Sequence, residues 1–300
     1  MKTLSNPKLK KKVKYLIISI ILLASILLFC CNQLDKMLYL PEITPLEWLE
    51  SQPYIEIIIF SQTLIIVQPS STVFVYVLGF LTIAMGALLV RKKPTQAFVS
   101  WWGIALILWG IGALLAGTSY QAFSYEIKCA GKPFCIWTSL WEIFYLIFSV
   151  GSVNAMLIAQ ARLDVKGKWN KKMEGYAFGN FLIYIIIMVI GSVIPIQFLI
   201  SFELMLLFLA PTILFLLIIN IRGSILQKVR INHSLIIIWL SLIVIIGLYF
   251  LYYILGITEA LWEQGIWFSE NDVLHISLLL WMIYIYFIMS KFGKKMIRTL

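Results

Sequence analysis

Apolar runs close to twenty residues long, separated by short polar or basic stretches, alternate along most of this chain. A helix rises about 1.5 Å per residue and the hydrocarbon core of a bilayer is about 30 Å thick, so roughly twenty apolar residues make one crossing. Seven crossings are predicted, at about Thr72–Val90, Ala97–Ala116 (with the helix running on toward Phe123), Trp137–Gln160, Tyr176–Ile194, Ile196–Ile219, Ser234–Leu255 and Asp272–Ser290. Pro195 divides the fourth of these from the fifth, and the count depends on its breaking the helix there. An earlier run, about Tyr15–Cys31, follows a basic head carrying Lys8, Lys10, Lys11, Lys12 and Lys14. Bulky Phe29 stands where a lipoprotein signal needs a small residue, and no small-x-small site precedes Cys30. The run therefore reads as an uncleaved anchor rather than a signal peptide.

The pattern changes between residues 32 and 71. Thr44-Pro45-Leu46-Glu47 has the form of an N-cap, a proline at the first helical position and a capping-box glutamate, so a short helix through Trp48 is expected. Tyr54–Val67 is apolar but too short to span. It is bounded by Pro53 and Pro69 and carries Glu56, Ser61, Gln62 and Thr63. The expectation is an interfacial or re-entrant segment, or a strand pair, on the outer surface. The organisation is then a basic head and anchor (1–31), an outer loop (32–71), a seven-helix core (72–290) and a basic tail (291–300). The fold class is all-α integral membrane, a seven-helix core preceded by an N-terminal anchor helix.

Composition agrees. Of 300 residues, 61% are hydrophobic and 13% charged, against about 45–50% apolar and about 25% charged in soluble domains. The net charge of +10 has a topological cause. On an eight-crossing map every Lys and Arg except Lys36, Lys128 and Lys132 falls on one side, which makes that side and both termini cytoplasmic. Anionic lipid attracts the same residues. The charge is therefore no nucleic-acid footprint: membrane lipids are expected partners and nucleic acid is not. The location is a cell membrane, plasma or bacterial inner. Asp35, Glu42, Glu47, Glu50, Glu56, Glu126, Glu259, Glu263 and Glu270 fall on the outer side, where solvated loops are the simple explanation. Trp48, Trp137, Trp141, Trp262 and Trp267 suit an outer aromatic belt, and Trp169 an inner one.

Cys30, Cys31, Cys129 and Cys135 form no CxxC pair and lie far in sequence from His233 and His275, which speaks against a thiolate zinc site. Cys129 and Cys135 share one outer loop, and a disulfide between them suits an oxidising compartment.

Polar residues inside spans are costly and are functional candidates by default. Asn154, Gln160 and Asn180 lie toward inner ends, within reach of backbone or water, and His233 begins its span at the inner interface. Glu203 sits among Phe, Leu and Met in the outer part of its span. The last span opens with Ser269-Glu270-Asn271-Asp272, where Ser269 reads as N-cap and Asp272 as its N3 partner. Asn271 and His275 are four apart and share a helix face. Ser119 and Gln121, at the end of the second span, and Glu142, at the start of the third, fall at the same depth. Two simple readings stand beside the functional one. An acid at Asp272 complements the helix N-terminus, and His275 can bond a neighbouring helix.

Gly117-Thr118-Ser119-Tyr120-Gln121, Glu142 and Asn271-Asp272-Val273-Leu274-His275 together resemble the pattern of the CREST superfamily, the seven-helix group of alkaline ceramidases and progestin/adiponectin receptors. That group has a Ser and a His at the end of the second core helix, an acid at the start of the third and a His-x-x-x-His pair opening the seventh. The resemblance implies zinc held by three histidines and hydrolysis of a lipid amide. Here Gln121 and Asn271 replace two of those histidines, and Ser119 lies two rather than four residues before Gln121. The favoured expectation is therefore a non-catalytic relative that binds a lipid or small ligand, with Gln121, Asn271 and Glu203 as ligand-binding candidates. The first alternative is a zinc-dependent membrane hydrolase, with His275 as metal ligand and Ser119, Glu142 and Asp272 as catalytic residues. The second is a transporter or channel using Glu203, Glu142 and Asp272.

Overall fold

The computed structural model describes residues 33–91, 97–163, 168–227 and 230–297. The basic head, the anchor run, Cys30, Cys31 and the last three residues of the tail lie outside the described residues. Among those described, seven helices are long and apolar enough to cross a membrane. The chain is a multi-pass, all-α bundle with a small cap at one end.

The cap comes first in sequence. Helix α1 (Pro45–Glu50) forms as its local chemistry dictates: Glu47 N–H donates to Thr44 Oγ1, and Thr44 N–H donates to Glu47 Oε2 at 2.9 Å. Strands β1 (Tyr54–Ile59) and β2 (Gln62–Val67) pair antiparallel, Tyr54 opposite Val67 and Ile59 opposite Gln62. Of the alternatives open for this segment, the strand pair is what forms. Phe60 and Ser61 turn it with positive φ of 47° and 65°. Its tip is uncharged, and Phe60 is 98% exposed.

The membrane-length helices are α2 (Pro69–Arg91), α3 (Ala97–Ala116, continued by a π-helical turn at Gly117–Ala122), α5 (Leu140–Leu163), α6 (Lys168–Val193), α7 (Phe202–Gln227), α8 (Arg230–Ile254) and α10 (Glu270–Ile297). Short helices α4 (Ser124–Lys128) and α9 (Ile257–Glu263) sit in the connections. Helix α6 begins eight residues before the predicted span. Asn170, Lys171, Lys172 and Glu174 are compatible with helix but not with hydrocarbon, so hydropathy sees only the apolar part. At the other end of α6 the chain breaks at Pro195. A 3-10 turn, Gln197–Ile200, follows, and Ser201 Oγ accepts the Leu204 N–H at 3.2 Å to start α7.

Helix α5 is the centre, with 72% of its spanning window buried; α3, α6 and α7 pack around it, and α2, α10 and α8 complete the bundle. The α2–α3 pair is held by glycine at close range. A Cβ on Gly86 would lie 2.6 Å from the Gly103 carbonyl oxygen, and one on Gly110 would lie 2.7 Å from that of Gly79. Small residues let membrane helices approach backbone to backbone. Aromatic pairs join the far side: Trp102–Trp239 at 5.9 Å and Trp109–Trp281 at 5.3 Å between ring centroids. The Trp281 indole donates to the Ile238 carbonyl at 2.8 Å.

The belt expectation needs one correction. Trp48 is buried, packed in the cap with Leu49, Val67 and the two cysteines. The cap has an apolar core of its own, and that core claims the indole before the membrane interface can.

Candidate functional site

At the cap end, α3 loosens into the π turn, where the Phe123 N–H reaches back five residues to the Thr118 carbonyl at 3.0 Å. Such turns inside α-helices frequently mark functional sites. Gly117 makes room for it, since a Cβ there would sit 2.3 Å from Val75. The turn places Ser119 and Gln121 in the interior, with Ser119 wholly buried.

Ser119 Oγ donates to Glu142 Oε1 at 2.8 Å. Its one proton is spent there, so the 2.6 Å contact with Ser139 Oγ is a bond that Ser139 donates. Lys128, at the end of α4, brings Nζ to 2.5 Å from the same Glu142 oxygen; each side chain is 3% exposed. The ammonium also donates to the Trp137 carbonyl at 3.3 Å and lies 4.8 Å over the Tyr120 ring. Burial, the largest single influence, works to lower the Lys128 pKa, but the Glu142 carboxylate and Tyr39 together outweigh it and hold the value above that of ordinary lysine. The pair is therefore ionic, and two serines complete it.

The cap closes over this centre. Trp137 N–H donates to the Met37 carbonyl at 2.6 Å, Cys135 N–H to that of Ile43 at 3.0 Å, and Ile65 N–H to Glu126 Oε1 at 3.4 Å. Cys129 and Cys135, both fully buried, are joined by a disulfide that closes the loop between Lys128 and Ile136. The Ile136 N–H donates to the Lys128 carbonyl at 2.9 Å.

A second polar cluster stands at the start of α10. Asp272 Oδ2 accepts from the Ser269 N–H at 2.6 Å and from Ser269 Oγ at 3.0 Å; Ser70 Oγ, whose one proton goes to the Trp267 carbonyl at 2.6 Å, lies 3.2 Å from it, and the Ser71 and Ser269 hydroxyls are 3.0 Å apart. Asp272 thus caps its own helix, and the Ser71–Ser269 contact ties that cap to α2. His275, one turn further in, is 7% exposed. Asp272 Oδ1, His275 Nδ1 and Gln121 Oε1 are buried with no hydrogen-bond partner.

The sequence candidates therefore divide. Ser119 and Glu142 touch. Asp272 belongs to the second cluster with His275 one turn away, and among the described residues no hydrogen bond joins the two clusters. Asn271 is half-buried and reaches only Glu270, at 3.5 Å. Glu203 is exposed in the first turn of α7, where an acid complements the helix N-terminus. Lys128 was missed. Its signal in the sequence is weak: it is one of three basic residues on a side otherwise stripped of them.

The zinc implied by the family resemblance does not fit. Among the described residues no three His, Cys, Asp or Glu side chains come together in a group that could hold a metal ion. Glu142 is committed to an ammonium and Asp272 Oδ2 to two donors from Ser269, and no set of three strong ligands gathers with His275 among the described residues. Nor do the inner polar residues trace a path. Asn154 and Asn220 Nδ2 donate to carbonyls one turn back in their own helices, at 2.9 and 2.7 Å, Asn180 donates to Asn154 at 3.3 Å, and His233 pairs with Ser224 at 3.0 Å.

A family model matches residues 70–294, which takes in nearly all of the bundle and leaves out the first part of the cap; the family is described as one of unknown function, DUF6962. No curated protein and no solved structure matches the chain.

Proposed function

We propose, for a chain that belongs to the family of unknown function DUF6962, a non-catalytic role: binding of a lipid or small amphiphile at the capped end of a seven-helix membrane bundle. One observation carries the reading. Gln121 Oε1, in the π turn that also positions Ser119, is buried with no donor. A buried acceptor left unpaired costs roughly 1–3 kcal/mol, and a ligand offering an N–H or O–H would remove that cost. The amide or hydroxyl of a lipid headgroup supplies such a donor, and the likeness to the CREST group points to the same class of molecule. Lys128, Glu142 and Ser119 hold the turn in place and perform no chemistry, because Glu142 is neutralised by its partner and Ser119 has no base free to activate it.

The basic end of the bundle faces the cytoplasm in this reading, by the positive-inside bias. The disulfide then falls in an oxidising compartment, and the membrane is the plasma or bacterial inner membrane.

The test is mass spectrometry of amphiphiles that co-purify with the full chain, with metal analysis of the same sample. The expected result is one amphiphile near stoichiometry, lost in Gln121→Leu with the helical circular dichroism unchanged. Stoichiometric zinc that disappears in His275→Ala would overturn the reading in favour of the hydrolase.

A further inference from the structure

Between α6 and α7, at the basic end of the bundle and away from the capped site, a cleft of about 370 Å³ is lined by Trp169, Lys172, Met173, Tyr176, Pro211 and Phe215. The four α6 residues are spaced at i, i+3, i+4 and i+7, so they form one continuous stripe on that helix. Pro211 and Phe215 are one turn apart on α7. The helices meet nearer the other end, where the Tyr184 and Phe208 rings are 5.0 Å apart. Trp169 is 68% and Tyr176 45% exposed, so the cleft opens toward the surroundings of the bundle.

Its chemistry is graded along its length. At the mouth Lys172 Nζ lies 5.2 Å over the Trp169 ring, and both residue types favour the membrane interface. Deeper in, the walls are Met173, Pro211 and Phe215, with the Tyr176 and Thr212 hydroxyls 3.5 Å apart. Pro211 lacks an N–H for the Leu207 carbonyl and presents a smooth ring to the wall. The nearest acid along α6, Glu174, is held by Arg162 at 2.6 Å and lines no part of the cleft. Among the described residues no acid lines the cleft beside Lys172.

A cation at the mouth of an apolar slot that opens to a bilayer matches one kind of molecule. We propose that the cleft seats an anionic glycerophospholipid, with its phosphate on Lys172 and one acyl chain along Met173, Tyr176, Pro211 and Phe215. A soluble phosphate would gain the charge contact but leave the apolar walls uncovered, and a zwitterionic lipid would cover the walls while carrying its own cation against Lys172.

The test is native mass spectrometry of the full chain released from micelles that hold equal amounts of phosphatidylglycerol and phosphatidylcholine with identical chains. The wild type is expected to retain phosphatidylglycerol preferentially. Lys172→Gln should cut that preference about fivefold, the effect of one basic residue near an anionic surface. Arg222→Gln removes an exposed charge at the same end but outside the cleft, and should leave the preference unchanged. Added glycerol phosphate or inorganic phosphate should not displace the lipid. Equal loss in both variants, no preference in the wild type, or displacement by the soluble anions would each overturn the assignment. None of these outcomes bears on the capped site.

Discussion

Lys128 Nζ and Glu142 Oε1 meet at 2.5 Å inside the capped end of the bundle. Removing one member of a buried ion pair strands the other charge, at a cost of about 3–5 kcal/mol, whereas replacing both with apolar groups is often neutral. Lys128→Met should therefore lower the apparent melting temperature sharply, and Lys128→Met with Glu142→Leu should recover most of it. Equal damage from the single and double variants would mean that the pair does not hold the site.

The same pair sets an alkaline limit. The folded-state pKa of Lys128 is raised above 10.5, so its contribution is present in full below that pH and is lost as pH rises through the folded value. Melting temperature measured against pH should fall above about 10.5, and the fall should be smaller in the double variant. On the acid side the Thr44 backbone N–H, and then its hydroxyl, hold Glu47 below its ordinary 4.5. That contribution is present above 4.5 and fades as pH drops through the lowered value. It should appear only as fraying of α1, read by hydrogen exchange.

The disulfide closes a loop with a sequence separation of 6. In the chain-entropy picture so short a loop contributes about 2 kcal/mol. Cys129→Ala with Cys135→Ala should lower the melting temperature modestly and raise hydrogen exchange at Lys128 and Ile136, while the helical circular dichroism is unchanged. Loss of the helical signal would show that the ring holds more than the cap.

Glycine at the α2–α3 contact has no substitute. Gly86→Leu and Gly110→Leu force the two backbones apart and should abolish recovery of folded protein. Gly247→Ala meets nothing within 4 Å and should be neutral or stabilising by up to about 1 kcal/mol. Tolerance of leucine at Gly86 would contradict the close approach.

That most of the candidate side chains lie inside the bundle was legible from the cost of polar groups within apolar spans. Ser119, Gln121, Glu142, Asp272 and His275 are all buried, and four of them sit at helix ends, where N-cap spacing and the start of an apolar run mark the level. Their lateral grouping was not legible. Ser119 lies with Glu142 while Asp272 lies beside Ser70, because a bundle can bring any two of its helices side by side at one depth, and no period in the chain records which. Lys128 was hidden for a related reason: a lysine in a short connection reads as solvated until the loop that folds over it is seen.

The sequence by itself determined seven apolar helices, the Thr44 and Ser269 starts and the break at Pro195. Each follows from apolar length, from a hydrogen bond between residues a turn apart, or from the N–H that proline lacks. Tertiary structure alone decided that Trp48 packs inside the cap, that Gly86 meets Gly103, and that an ammonium from one connection neutralises a carboxylate on the next helix. Those contacts join residues distant in the chain, and only the packing of whole helices, with the burial it forces, sets them.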